Sequence, residues 1–120
     1  MLAPPPDALV RLAALHGQAK FGSKDGGLYT GIHDAALRQA SEAVVNEAIA
    51  EVMMILRANP AGRAAILDVF RRNLGRLDLT DTEDRERASG YFEEIMDAVG
   101  LESSDGLLNM WMYGFDPTDL

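Results

Sequence analysis

The sequence predicts an all-α fold, a compact bundle of four long helices with a short fifth helix at the C-terminus. Three observations carry this. Apolar residues recur three and four positions apart through most of the chain, as an amphipathic helix requires. No segment alternates with period two, and Val and Ile fall inside the helical patterns. Helix punctuation, namely Asn59-Pro60, Thr80 with Glu83, and Gly100, divides the pattern into lengths that helices adopt.

A chain of 120 residues, 48% apolar, can bury one core but not two. The expected organisation is a flexible Pro-rich lead at residues 1–6, a single helical domain at 7–115 and a frayed tail at 116–120. Pro4, Pro5 and Pro6 stiffen the lead, and Asp7 suits the positive end of a first helix running from about Pro6 to Lys20. Its stripe is Leu9, Leu12, Ala13 and His16, with Leu15 and Ala19 at the margin; His16 fits packing better than metal ligation. Residues 21–27, Phe-Gly-Ser-Lys-Asp-Gly-Gly, form a loop with no apolar face to bury. They do not follow a strand or end in Gly-Lys-Ser or Gly-Lys-Thr, so they are not a phosphate-binding loop.

The second helix, about His33 to Ala58, carries Leu37, Ala40, Val44, Val45, Ala48, Ile49, Val52 and Leu56 at helical spacing, and Met53, Met54 and Ile55 widen its face. A helix this apolar is central, or is shared between two copies of the chain. Asn59 is then an N-cap and Pro60 the first residue of a third helix with the stripe Ile66, Leu67, Phe70, Leu74 and Leu77. Arg63, Arg71, Arg72 and Arg76 occupy its other faces. Thr80 and Glu83 have the spacing of a capping box for the fourth helix, and Gly100 is its left-handed stop. Ala88, Tyr91, Phe92, Ile95, Met96 and Val99 fill one face between them. Ser103 or Ser104 caps the fifth helix, which runs through Leu107, Leu108, Trp111 and Met112 and ends at Gly114, with Phe115 packing back.

The net charge of -8 is unevenly distributed: residues 1–60 carry six acids and five bases, residues 61–120 thirteen and six. Nucleic acids and anionic membranes are recognised by cations, so neither is an expected partner. After Arg87 there is no Lys or Arg at all, yet Glu93, Glu94, Asp97, Glu102, Asp105, Asp116 and Asp119 follow, interleaved with Trp111, Tyr113 and other aromatic and Met residues. Charge of one sign steers a basic protein, and aromatic side chains anchor interfaces. The expected partner-binding residues are therefore Glu93, Glu94, Asp97, Glu102, Asp105, Trp111 and Tyr113. Trp111 serves as an anchor only if it is exposed, because its spacing from Leu107 and Leu108 also suits a core.

Ordinary catalytic parts are missing. There is no Cys, His16 and His33 are the only imidazoles, and no Gly-x-Ser-x-Gly elbow is present. The acidic run from Asp78 lacks the Gly and the final Glu of a calcium loop. No cofactor, metal or catalytic residue is expected. With no secretion signal or long apolar run, the expected location is the cytoplasm.

One carboxylate pattern does suggest chemistry. Glu83, Glu86, Glu94 and Asp97 fall within about 80° on one face of the fourth helix. Glu83-x-x-Glu86 and Glu94-x-x-Asp97 resemble the half-motifs of the all-helical, magnesium-dependent NTP pyrophosphohydrolases. In that family the half-motifs lie on separate helices; here Glu83 and Glu94 are about 16 Å apart along one axis. An opposing helix would have to complete the site, with Glu42, Glu47 and Glu51 as the candidates. Separately, Thr82 to Glu86, Glu94 to Asp97 and Ser103 to Asn109 resemble short bacterial all-helical proteins of the toxin-neutralising, or immunity, type. That resemblance covers about a third of the chain and implies a free-standing protein that covers a cognate toxin.

The leading expectation is thus a non-catalytic immunity protein with an acidic binding surface. The alternatives are the magnesium-dependent hydrolase and a structural homodimer built on the helix at 33–58 through an exposed Val44, Ile49, Val52 and Met53 face.

Overall fold

In the computed structural model, residues 2–22, 29–59 and 62–113 are described. Among them the chain forms five α-helices and no strand: α1 (Ala8–Gly17), α2 (Ala35–Ala58), α3 (Arg63–Leu74), α4 (Thr82–Val99) and α5 (Leu107–Met112). At 24 residues α2 is ~36 Å long, close to the longest dimension of the molecule, 38 Å. It packs against α1, α3 and α4, while α4 also meets α1 and α5.

The stripes predict most of the core. Val44, Val45, Ala48, Ile49, Val52 and Leu56 of α2 are buried, as are Ile66, Leu67, Phe70 and Leu74 of α3 and Ala88, Tyr91, Phe92, Ile95, Met96 and Val99 of α4. Phe70 and Phe92 meet edge to face, 5.0 Å between centroids, and so join α3 to α4. Of the face named for the alternative homodimer, Val44, Ile49 and Val52 are buried inside the monomer and Met53 is half-buried.

Several boundaries differ from expectation, each for a local reason. α1 stops at Gly17 because Lys20 turns back over its end, donating Nζ hydrogen bonds to the carbonyls of Leu15 (2.6 Å), Gln18 (2.8 Å) and His16 (3.4 Å). Lys20 is buried, and its backbone N–H donates to Glu42 Oε2 at 2.6 Å. The buried face of α1 is Ala8, Leu12 and Leu15, while His16 and Ala13 are exposed. Phe21 lies in a loop, as expected, but it is completely buried, in an edge-to-face contact with Tyr91 at 5.0 Å. Residues 23–28 of that loop lie outside the described residues.

Asp34, not His33, starts α2, its carboxylate accepting from the N–H groups of Ala36 and Leu37. Asn59 closes α2 instead of opening α3, donating its N–H to the Ile55 carbonyl at 2.7 Å. Pro60 is outside the described residues, and α3 begins after Gly62. A Cβ at Gly62 would sit 2.9 Å from Ile55 Cγ2, so the turn brings the chain back against α2 too closely for a side chain.

α4 is capped by Asp81, which accepts from Glu83 N–H (2.8 Å) and Asp84 N–H (3.4 Å), and not by Thr80. A carboxylate both satisfies orphan donors and complements the helix dipole. Gly100, at φ 75°, ends α4 as expected, with Leu101 N–H bonded to the Met96 carbonyl at 2.9 Å. A Cβ there would lie 2.9 Å from the Ala3 carbonyl, and Leu2 is buried, so the Pro-rich lead is docked on the bundle. α5 starts after Gly106. Ser104 Oγ accepts from Leu108 N–H at 3.4 Å, and Ser103 Oγ accepts from Asp105 N–H at 3.1 Å. Gly114, Phe115 and the tail at 116–120 lie outside the described residues.

Candidate functional site

α4 buries one face and turns the opposite one to solvent, which places its carboxylates by helical period alone. Glu83, Glu86, Glu93, Glu94 and Asp97 are all exposed, and none forms an ion pair with a described residue. Arg72 of α3 and Arg76, just beyond its end, are paired elsewhere. Arg76 pairs with Glu47 at 2.6 Å, and Arg72 pairs with Glu51 at 3.3 Å and with Asp68 at 3.2 Å. Arg63 meets Asp105 at 2.7 Å, and that carboxyl is held below its ordinary range, chiefly by this hydrogen bond, with the charge of Arg71 adding to it. Arg11 donates to the Asp97 backbone carbonyl at 3.2 Å, which complements the C-terminal end of α4 and leaves the carboxylate uncompensated.

The acidic row borders a groove of ≈ 550 Å³ lined by Tyr29, Glu83, Glu86, Arg87, Gly90, Tyr91 and Glu94. Two tyrosines build its wall. Tyr29 OH donates to Asp84 Oδ1 at 2.6 Å, and the Arg87 guanidinium lies over the Tyr29 ring, 4.6 Å from its centroid. Burial first, and then the bond to Asp84, push the Tyr29 phenol well above its ordinary pKa. Tyr91 OH accepts from Phe21 N–H at 2.9 Å, and the Phe21 carbonyl accepts from Ile32 N–H at 2.8 Å. The chain before and after residues 23–28 is therefore pinned to α4 by one tyrosine on each side. Gly90 leaves a bare step in the helix surface between Glu86 and Glu94.

The expected binding residues separate into groups. Glu94 lines the groove, Asp97 lies one turn beyond it, and Glu93 is exposed on the neighbouring strip of α4. Glu102 borders a second cavity of ≈ 480 Å³ with Leu2, Ala3, Arg63, Gly100, Leu101 and Ser103. Asp105 is tied to Arg63. Tyr113, at the end of α5, is 81% exposed. Trp111 is 3% exposed and forms part of the core, so it cannot anchor a partner. Its spacing from Leu107 and Leu108 reflects packing against α4. The sequence reading missed Tyr29, Arg87 and Gly90; the one available signal was a glycine in the middle of an otherwise uninterrupted helical pattern.

The hydrolase geometry requires α2 carboxylates in contact with the row on α4, but Glu42 accepts from the Lys20 N–H, Glu47 pairs with Arg76 just past α3, and Glu51 pairs with Arg72 of α3. Glu51 Oε2 also accepts from Asn73 Nδ2 at 2.8 Å. Among the described residues no three His, Cys, Asp or Glu side chains are gathered closely enough to hold a metal ion, and no helix is long and apolar enough to cross a membrane.

Comparison with known proteins gives two matches. The family described as "Domain of unknown function (DUF4844)" matches residues 3–116. The fold is similar to the 1.95 Å crystal structure of a DUF3571 family protein from Acinetobacter baumannii AYE, with 35% sequence identity, a TM-score of 0.80 and 89% of each chain covered. No curated protein matches.

Proposed function

As the chain belongs to the DUF4844 family, we propose that it is a non-catalytic binding protein that takes a basic protein partner on the acidic face of α4, in the manner of an immunity protein covering the positively charged surface of a toxin. The observation that carries this reading is the exposed row Glu83, Glu86, Glu94 and Asp97, with Glu93 beside it, none of which forms an ion pair with a described residue. Like charges three and four residues apart repel one another and cost a helix a few tenths of a kcal/mol per pair, roughly 0.2–0.5. Only Glu83, in the first turn of α4, complements the helix dipole; Glu94 and Asp97, near the C-terminal end, oppose it. A basic partner turns the same row into a source of steering and of charge-assisted contacts. Glu102 extends the negative surface past the end of α4, and Tyr113 is the exposed aromatic side chain of α5.

The test is a calorimetric titration of the purified chain with the product of the gene adjacent to its own, at about 0.05 M and about 0.5 M salt. Tight binding is expected, weakened by salt and by the double reversal Glu94→Lys, Asp97→Lys. A neighbouring product that is harmless when expressed alone and does not bind would end the immunity reading.

A further inference from the structure

We propose that the groove on α4 is a receptor for one arginine side chain of the partner, laid over Gly90 between Glu86 and Glu94. This rests on the acidic-face reading above and identifies the contact at its centre. Gly90 is the first reason. A Cβ there would meet no atom of the described residues within 4 Å, so no described neighbour demands a glycine. A glycine inside a helix nevertheless costs about 1 kcal/mol relative to alanine. What the missing side chain provides is room, in the floor of a groove of ≈ 550 Å³.

Charge complementarity identifies the occupant. Glu86 and Glu94 stand four residues before and after Gly90, each about 6 Å away along the axis and on the same side of the helix. Both are exposed, and neither forms an ion pair with a described residue. Glu83 lies one turn before Glu86 on the same lining. The fourth charged group of the groove, Arg87, is turned onto the Tyr29 ring and does not close the gap. That contact also demonstrates that this wall accommodates a guanidinium, with Tyr29 fixed by its bond to Asp84. A planar group with five donors can bond both flanking carboxylates at once, which an ammonium on a single point of charge does less well.

The experiment is an NMR titration of the ¹⁵N-labelled full chain with a blocked pentapeptide carrying one arginine among alanines, beside the same peptide carrying citrulline or lysine. Citrulline keeps the shape of arginine without its charge. Saturable shifts of the Gly90 and Glu94 amides are expected, weaker by at least about tenfold for citrulline and severalfold for lysine. Gly90→Leu, which fills the step with a better helix former, is expected to retain the helical spectrum and lose about tenfold in affinity. Equal binding of citrulline or lysine, no shift at Gly90, or undiminished binding by Gly90→Leu would each overturn the assignment. The two readings fail separately. If Gly90→Leu still binds the protein partner while Glu94→Lys, Asp97→Lys does not, the acidic face stands and the arginine receptor falls.

Discussion

The Arg85 guanidinium lies over the Trp111 ring, 4.1 Å from its centroid, and donates hydrogen bonds to the Trp111 backbone carbonyl and, at 2.9 Å, to the Leu79 carbonyl. One side chain from the first turns of α4 therefore holds both α5 and the segment that leads into α4. Burial of this cation pulls its pKa below the ordinary arginine value, an electrostatic cost offset by two carbonyl acceptors and the indole face.

Trp111→Ala is accordingly a stability change. Truncating a buried Trp costs about 3–5 kcal/mol, and Arg85→Ala, which leaves two carbonyls to find water, about 1–2 kcal/mol. Urea melts followed by far-UV circular dichroism measure both. A Trp111→Ala protein that melts like the parent but loses affinity for the partner would return the indole to the binding surface.

The alkaline limit of the fold is set in part by the groove tyrosines. Tyr29 is pushed above the ordinary phenol range by burial and then by Asp84; Tyr91 is pushed up by burial, partly offset by the Phe21 N–H it accepts. Both folded pKa values exceed the unfolded value of about 10. Their contribution to stability is therefore complete below about pH 10 and is lost as pH rises through the folded values. Tyrosinate absorbance during alkaline titration is expected to show delayed ionisation, coupled to unfolding. Asp84→Asn should lower the Tyr29 midpoint by removing the carboxylate that disfavours a phenolate, and an unchanged midpoint would count against the Tyr29–Asp84 bond.

What the sequence made legible was whatever depends on period. The stripes of α2, α3 and α4 and the stop at Gly100 follow from spacing and from one residue's backbone freedom, and all appear in the fold. Features that depend on contacts distant in sequence were hidden. Thr80 and Glu83 had capping-box spacing, but Asp81 took the cap, and Asp84, the residue placed to complete a box with it, is engaged by Tyr29 from 55 residues away. The burial of Phe21 stayed hidden because its partner, Tyr91, lies on α4. The acidic face was legible because charge and period suffice to define it. The groove was not, since its wall is supplied by Tyr29 and its floor by a glycine that looks like a flaw in α4.

Magnesium is expected to leave the melting temperature unchanged. A hydrolase site between α2 and α4 would need Glu42, Glu47 or Glu51 beside Glu83 or Glu94, and these are bonded instead to the Lys20 N–H, to Arg76, and to Arg72 and Asn73. An ion held at a hundredfold excess over its dissociation constant stabilises by about 2.7 kcal/mol, enough to move the melt by several degrees. Calorimetric scans with and without about 5 mM magnesium decide the point. A clear upward shift that vanishes in Glu83→Gln, Glu94→Gln would revive the enzyme alternative.

Gly90→Ala separates what the fold needs from what the binding face needs. The new methyl meets no atom of the described residues within 4 Å, so neither a clash nor a useful packing contact with them enters the balance. What remains is the backbone: alanine loses less conformational freedom than glycine on entering a helix, and the substitution should stabilise the protein by about 0.5–1 kcal/mol. For a domain of this size that is a rise of roughly 2–6 °C in melting temperature. A helix whose interior glycine can be replaced with a gain in stability keeps that glycine for a reason outside its own packing. If the melt instead falls, Gly90 serves the fold, and the bare step between Glu86 and Glu94 loses its claim to be kept open for a ligand.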